Sequence, residues 1–294
     1  MTTHLVKLTT LSLCLWGAWA PLQAAAPANW PAWRGPLANG VAPDAHPPTQ
    51  WSETQNVQWK VGIPGRGAST PVIWEDQVFI LTAVPTGPGP EAPAKASDSS
   101  GSPTERPDRS DRPRRGGVGG SSGGGGGMVD RPTQAQQFTV LSFDRKTGKQ
   151  RWTQSPRTQL PHEGHHKDHG FASASPVTDG KHLIVSFGSF GLYGYDLKGK
   201  LLWQKDLGDM RTRNSFGEGS SPGLDGNTVV VLWDHEGDDF IVALDKRDGR
   251  ELWRQTRDEP TGWCTPLIVS HGGRKQVIVN GTNKIRSYDL KDGK

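Results

Sequence analysis

The chain has 294 residues, 33% of them hydrophobic, and its formal net charge at pH 7 is +4. A charge this small for the length, without a stripe of lysine and arginine, argues against nucleic acid as a partner. The 38 glycines and 23 prolines favour many short strands joined by tight turns over a helical bundle.

Residues 1–26 are typical of a cleavable signal peptide. Lys7 precedes an apolar stretch over residues 8–20, and the small residues 24–26 supply a cleavage site. The apolar stretch is too short to span a bilayer, and no later segment is a candidate transmembrane helix. We therefore expect a periplasmic or secreted protein of residues 27–294. It retains one cysteine, Cys264, and so cannot form an internal disulfide.

Residues 84–136 interrupt the pattern of short strands. The stretch contains a run of glycines at 123–127, many prolines, and alternating acidic residues and arginines over 106–115. Such a composition buries too little apolar surface to offset the entropy of ordering the chain. We predict a disordered loop inside the first repeat, not a domain boundary.

Four tetrapeptides ending in proline recur along the chain. They are Ala68–Pro71, Ser173–Pro176, Gly219–Pro222 and Trp263–Pro266. Each is followed by an aspartate, a glycine with a cation after it, and a tryptophan. Three of these series are complete, and they run from Asp144 to Trp152, from Asp196 to Trp203 and from Asp245 to Trp253. A fourth begins at Asp289 and reaches Lys294, three residues before the expected tryptophan.

Short runs rich in valine and isoleucine lie between these landmarks and predict strands at His182–Phe187, Thr228–Trp233 and Gln276–Asn280. The Asp-Gly pairs at 179–180 and 225–226 mark tight turns before two of them. A unit of about 45 residues with four strands is typical of a propeller blade. The predicted fold is therefore an all-β propeller with about four blades present.

The repeat resembles the PQQ-like (pyrroloquinoline quinone-like) β-propeller family, whose motif runs Ala-x-Asp-x-x-Thr-Gly-Lys-x-x-Trp. The stretch from Ala243 to Trp253 matches except that Asp248 replaces threonine. The opening Trp30–Pro36 and Trp59 also resemble the start of secreted members. The resemblance implies an intact propeller of seven or eight blades, so that this chain would be truncated at its C-terminus. Trp59 would then belong to the outer strand of the last blade.

Propeller connectivity predicts where a ligand would bind. Loops between the second and third strands and connectors between blades share one face, and they hold most of the unusual polar residues. Such loops on a rigid scaffold commonly bind ligands. The candidates for cofactor binding in this group are Arg66, Arg213, Glu218 and Asn280.

Two clusters on this face could carry chemistry. The densest group of histidines is His162, His165, His166 and His169, and with His235 it could ligate a divalent metal. The second cluster, Asp234, His235 and Glu236, could supply a catalytic base or a metal ligand. A solvated loop and a polar turn are the alternatives.

Three functions remain open. The first is a binding or scaffold module for a protein, a small molecule or a polysaccharide. The second is a quinoprotein dehydrogenase with PQQ and calcium in the channel. The third is a metal-dependent enzyme. The family resemblance counts against the second, because quinoprotein alcohol dehydrogenases carry a vicinal cysteine pair and are about twice as long. We therefore favour the binding module.

Overall fold

The computed structural model describes residues 29–87, 128–129 and 131–294. The predicted signal peptide and residues 88–127 of the predicted insert lie outside the described residues. The described chain is built almost entirely of antiparallel strands, arranged as three four-stranded sheets, one three-stranded sheet and one two-stranded sheet. The predicted all-β propeller is confirmed. The described part of the chain contains no helix with the length and apolar character needed to cross a membrane.

Each large sheet is one blade, and its strands follow the chain from the innermost to the outermost. Blade 1 consists of β1 (Val72–Trp74), β2 (Gln77–Pro85), β4 (Gln136–Asp144) and β5 (Gln150–Gln159). Blade 2 consists of β7 (Val177–Thr178), β8 (His182–Ser186), β9 (Leu192–Asp196) and β10 (Leu201–Lys205).

The last two blades repeat this order. Blade 3 consists of β11 (Gly223–Asp225), β12 (Thr228–Trp233), β13 (Phe240–Asp245) and β14 (Glu251–Thr256). Blade 4 has three strands in the described chain, β15 (Leu267–His271), β16 (Arg274–Asn280) and β17 (Ile285–Asp289). Two short 3-10 helices cover Gly188–Phe190 and Arg213–Ser215. Each predicted strand lies where an observed strand lies.

The described ends of the predicted insert form strand pairs. Strand β2 continues to Val84 and Pro85, which pair with Gln137 and Gln136 of β4. A two-residue strand, β3 (Met128–Val129), pairs with β6 (His165–His166) in the connector between blades 1 and 2. The insert therefore begins and ends on blade 1 and returns against the histidine-rich connector.

The recurring tryptophan of each repeat docks on the turn of the following blade. Its indole Nε1 donates to a backbone carbonyl there, with distances of 3.0 Å from Trp152 to Leu197, 2.7 Å from Trp203 to Lys246 and 2.9 Å from Trp253 to Leu290. The ring covers a glycine with positive φ, at positions 199, 249 and 293. A Cβ on any of these glycines would lie 2.6 to 2.8 Å from the ring, so only glycine fits.

The aspartate of each repeat shapes the turn on which the tryptophan of the preceding blade docks. The carboxylate of Asp144, for example, accepts hydrogen bonds from the backbone N–H groups of Lys146 and Thr147, at 3.1 and 2.8 Å. The contact of Arg247 with Asp245 lowers the pKa of that carboxyl to about 2. The aspartate-glycine-tryptophan spacing is therefore a device for joining neighbouring blades.

Trp59 docks on blade 1 as the later tryptophans dock on theirs. Its Nε1 donates to the carbonyl of Arg145 at 2.9 Å, and its ring covers Gly148. The described residues 57–63 around it form no strand. Trp59 thus occupies the position on blade 1 that the preceding tryptophan occupies on each later blade, and its membership of an outer strand stays a prediction.

A second link joins the blades near the propeller axis, through the third residue of each proline-ending tetrapeptide. The backbone N–H of this residue donates to the side-chain hydroxyl of its equivalent in the next blade. The distances are 2.9 Å from Thr70 to Ser175, 2.8 Å from Ser175 to Ser221 and 3.1 Å from Ser221 to Thr265. This chain of hydroxyls explains why serine or threonine precedes each proline.

Apolar side chains fill the space between consecutive blades. Phe79 and Phe138 of blade 1 pack with Tyr195 of blade 2, and all three are almost fully buried. Equivalent clusters join blades 2 and 3 and blades 3 and 4. The core therefore lies at the blade junctions, between the hydroxyl chain at the axis and the tryptophan docks at the rim.

We expect a methyl group on Gly249 to destabilise the fold more than one on Gly226. Both glycines have positive φ, but a Cβ on Gly249 would lie 2.7 Å from the ring of Trp203, whereas one on Gly226 would have no neighbour within 4 Å. Gly226→Ala should lower the free energy of unfolding by about 1–2 kcal/mol, and Gly249→Ala by about 1–3 kcal/mol more. Urea denaturation measures both, and equal losses would contradict the docking role.

We expect Ser221→Ala to lower the free energy of unfolding by about 1–3 kcal/mol, because it leaves the buried N–H of Ser175 without an acceptor. Ser220→Ala is the matched control, since the side chain of Ser220 makes no hydrogen bond to the described residues; its effect should stay within about 0.5 kcal/mol. Ser221→Thr keeps a hydroxyl and should restore most of the loss. If Ser220→Ala and Ser221→Ala were equally stable, the hydroxyl chain would have no energetic role.

Candidate functional site

The face that carries the long loops is called the loop face here. It is formed by the connectors between blades, 160–176, 206–222 and 257–266, and by the loops within blades 3 and 4, 234–239 and 281–284. Each of these segments starts where a strand ends on the same side of its sheet. The rigid blades thereby bring together polar residues that are far apart in sequence.

His162 and Glu163, at the start of the first connector, bond to the second connector. The Nε2 of His162 donates to the carbonyl of Met210 at 2.6 Å. The carboxylate of Glu163 accepts from the N–H and the hydroxyl of Thr212, the latter at 2.5 Å. The Nδ1 of His162 is buried and has no partner among the described residues. These two side chains therefore tie the connectors together.

The other three histidines have different partners, although the rings of His166 and His169 lie edge-on with their centroids 6.1 Å apart. His165 is buried, donates from Nδ1 to the carbonyl of His166 at 2.7 Å, and lies edge-on to Phe171. Burial lowers the pKa of His165. The ring of His166 packs edge-on against Phe216, and His169 is exposed.

The predicted metal site receives no support from this geometry. Within residues 29–87 and 131–294, no three side chains of histidine, cysteine, aspartate or glutamate come together as metal ligands. His162 and His165 each use a ring nitrogen to bind a backbone carbonyl. His235 lies on a different loop and bonds elsewhere.

Asp234 forms a buried ion pair with Arg257. Two contacts join them, at 2.6 and 2.9 Å, and neither side chain is accessible to solvent. The third arm of the guanidinium donates to the hydroxyl of Tyr288 at 2.6 Å. Burial raises the pKa of Asp234, and the arginine opposes that rise. A carboxylate held this way has no free oxygen for a substrate, and the bond from Arg257 to Tyr288 extends the network to blade 4.

His235 and Glu236 also bond within the loop face. The Nδ1 of His235 accepts the backbone N–H of Arg211 at 3.1 Å, which places its proton on Nε2. Glu236 accepts from both the hydroxyl and the N–H of Thr261, at 2.9 and 3.2 Å, and these bonds lower its pKa. The three predicted catalytic side chains thus point to three different partners and do not converge.

The two loops that hold the candidate residues lie side by side, as the alternation of turns predicts. The loop 161–170 contacts Met210 and Thr212, and the loop 233–237 contacts Arg211 between them. The backbone N–H of Glu236 also donates to the carbonyl of Arg211 at 2.8 Å. The short segment 210–212 therefore joins both loops into one surface.

Glu218 lines a small, partly open cavity near the axis. The cavity has a volume of about 30 Å³, and its lining includes His162, Phe187, Phe190, Met210 and Trp233. The carboxylate accepts from the N–H and the hydroxyl of Ser189, at 2.7 and 2.5 Å. Burial raises the pKa of Glu218 to about 7, although the bonds from Ser189 lower it. The cavity is large enough for a water molecule.

The other predicted cofactor-binding residues lie apart from Glu218. Arg66 is exposed, lines a cleft with His165, and donates to the carbonyl of Lys167. Arg213 is exposed on the second connector. Asn280 lines a separate groove at the other end of the face. Glu218, Asn280 and Arg66 line three different cavities, and Arg213 lines none of these three.

PQQ and its calcium do not fit the described residues. A quinone with several carboxylates needs cationic groups and a metal ligand set that face a single cavity. The candidate residues Arg66, Glu218 and Asn280 face three different cavities. No cluster of three metal-binding side chains accompanies any of them in the described ranges.

The sequence analysis missed the residues that hold the loop face together. Arg257 and Glu259 are buried at 6% and 1% exposure, although charged residues are rarely buried. Asp239 accepts the N–H groups of His235 and Glu259. Their signal in the sequence is weak, because each lies in a loop where exposed charges are ordinary.

The family model described as outer membrane protein assembly factor BamB matches residues 136–294, which is more than half of the chain. The chain belongs to this family. The match covers blades 2, 3 and 4 and the outer strands of blade 1, and it confirms the resemblance to the PQQ-like repeat.

No curated protein matches the chain significantly. Among solved structures, BamB from Moraxella catarrhalis is 20% identical with a TM-score of 0.39, and the match covers 53% of this chain and 46% of that one. The quinohemoprotein alcohol dehydrogenase ADHIIG from Pseudomonas putida HK5 is 13% identical with a TM-score of 0.37, covering 56% and 32%. The quinohemoprotein alcohol dehydrogenase from Comamonas testosteroni is 14% identical with a TM-score of 0.39, covering 54% and 32%. The matched part spans less than half the length of each of these structures.

We expect Glu218 to make this member of the BamB family less stable as the pH rises from 5 to 8. A carboxyl with a pKa of 4.5 in the unfolded chain and about 7 in the folded protein holds its proton more tightly when folded. Its ionisation between these values therefore costs folding free energy, up to about 3 kcal/mol above pH 7. Chemical denaturation across this range measures the loss.

Glu218→Gln is the control, because it keeps an oxygen that accepts from Ser189 and cannot ionise. The difference in unfolding free energy between wild type and Glu218→Gln should change with pH between 5 and 8. A constant difference over that range would contradict a raised pKa at Glu218.

Proposed function

We propose that the protein is an exported binding or scaffold module that contacts a partner protein through the loop face. The observation that carries this proposal is that the acidic and imidazole side chains of that face form hydrogen bonds and ion pairs with one another's loops. Asp234, His235 and Glu236 bond to other loops of the same face. They build a rigid surface, and they do not form an acid–base pair around a free substrate position.

The exposed residues of the loop face supply its contact groups. Lys167, Arg211 and Arg213 are exposed, and their neighbours are held in place by the bonds described above. A rigid surface loses little conformational entropy on binding, which favours a specific partner. The signal-peptide pattern of residues 1–26 supports a periplasmic or secreted location for this interaction.

Site-specific photo-cross-linking in cells tests the proposal. A benzophenone amino acid at Lys167 or Arg213 reports on the loop face. The same group at Lys181 or Lys198, which are exposed in turns on the opposite face, is the matched control. We expect one discrete cross-linked protein from the loop-face positions and none from the control positions.

Two outcomes would contradict the proposal. Cross-links of equal yield from both faces would show that the loop face is not selective, and their absence from Lys167 and Arg213 would remove it as the contact surface. Reduction of an artificial electron acceptor by the purified protein with PQQ and calcium would instead support the oxidoreductase alternative.

A further inference from the structure

The innermost strands of the four blades carry one equivalent residue each, two positions after the proline of the repeat. These residues are Ile73, Thr178, Leu224 and Ile268. They occupy the same register, since Ile73 pairs with Val78, Leu224 with Val229 and Ile268 with Val277. Each therefore presents its backbone in the same way to the channel at the axis.

The chain's own N-terminal segment covers two of the four positions. Trp30 and Ile73 exchange both backbone hydrogen bonds, at 2.8 and 2.9 Å, so the polar groups of Ile73 point away from β2. The carbonyl of Pro31 then accepts the N–H of Thr178 at 2.9 Å. Two consecutive residues, Trp30 and Pro31, thus bond through their main chain to the inner edges of blades 1 and 2.

The other two positions are open. By the same register, the N–H and C=O of Leu224 and Ile268 face the channel, and they have no backbone or side-chain partner there among the described residues. Both line a groove of about 830 Å³ that runs along the inner strands. A volume of this size is typical of ligand sites.

The walls of the groove are aromatic, and two of its lining residues, Arg34 and Asp225, carry opposite charges. Trp33 and Trp263 line it and are 45% and 42% exposed, which is unusual for tryptophan in a folded domain. Its charged lining residues are engaged. The guanidinium of Arg34 lies over the ring of Trp33, and Asp225 forms an ion pair with Lys275. An uncharged ligand with apolar side chains fits these walls.

We propose that this groove binds an extended, uncharged segment of a partner polypeptide, whose main chain bonds to the N–H and C=O groups of Leu224 and Ile268. Main-chain hydrogen bonds to a free strand edge supply affinity in such sites, and alternate side chains supply specificity. Trp30 and Pro31 show on the equivalent positions of blades 1 and 2 that main-chain groups of a polypeptide reach and bond this type of edge. The groove extends from the axis to Trp263 on the loop face, and the exposed cations Lys167, Arg211 and Arg213 do not line it.

The test uses a fluorescent hexapeptide of alternating valine and threonine, and the same peptide with N-methylated valines. Leu224→Pro removes the N–H that faces the channel, and proline is tolerated where an edge N–H lacks a partner in the sheet. Leu224→Ala removes a similar amount of side-chain packing and keeps the N–H. Fluorescence anisotropy gives the affinities, and thermal melts check that each variant folds.

We expect saturable binding to wild type and to Leu224→Ala. The affinity should fall at least about tenfold for Leu224→Pro and for the N-methylated peptide, as expected for the loss of one or two hydrogen bonds. The amide of Leu224 should also exchange with deuterium more slowly when the peptide is bound. Ile268→Pro is the second variant in case Leu224→Pro does not fold.

Three results would overturn the proposal. In the first, wild type shows no saturable binding of the peptide. In the second, the N-methylated peptide binds as tightly as the unmodified one. In the third, the protein self-associates, Leu224→Pro abolishes this self-association, and the peptide does not bind. The last would show that a second copy of this chain occupies the groove. Leu224→Pro leaves Lys167 and Arg213 in place, so cross-linking from those positions reports on the loop face independently.

Discussion

The contact between an indole ring and a glycine of the next blade is the constraint on which the structure depends. Trp152, Trp203 and Trp253 each donate to a backbone carbonyl and cover a glycine that has no room for a side chain. Because each dock joins one blade to the following one, it fixes their relative angle at the rim. The hydroxyl chain through Ser175 and Ser221 fixes the same junctions near the axis.

With the blades held at both ends, the connectors on the loop face are brought close enough to bond with one another. Polar residues that resemble a catalytic cluster in the sequence then serve as cross-links. The buried pair of Asp234 and Arg257 illustrates this, because a carboxylate without access to solvent needs a fixed counterion. The rigidity of the face therefore comes from the same groups that suggested chemistry.

The axis and the loop face differ in which hydrogen-bonding groups lack a partner. On the loop face, carboxylates such as Glu163 and Glu236 have partners on neighbouring connectors. At the axis, the inner strands have free edges, and the segment beginning at Trp30 covers those of blades 1 and 2. The strand edges at Leu224 and Ile268 remain free and line a groove with two half-exposed tryptophans. The two regions are therefore suited to different ligands, a folded surface and an extended chain.

Repetition made much of the fold predictable. The strand at Thr228–Trp233 was expected with the bounds it has, and Trp59 was expected to act as an outer-strand tryptophan, because both follow from local patterns repeated at a fixed spacing. The positions of Asp234, His235 and Glu236 on one face also followed from the alternation of turns. The residues that bond to these side chains could not be predicted from the sequence. Arg257 and Thr261 lie on another connector, more than 20 residues away, and no period in the sequence relates them. Whether a carboxylate is free to react depends on which chain segment packs against it, and that is decided only when the blades dock.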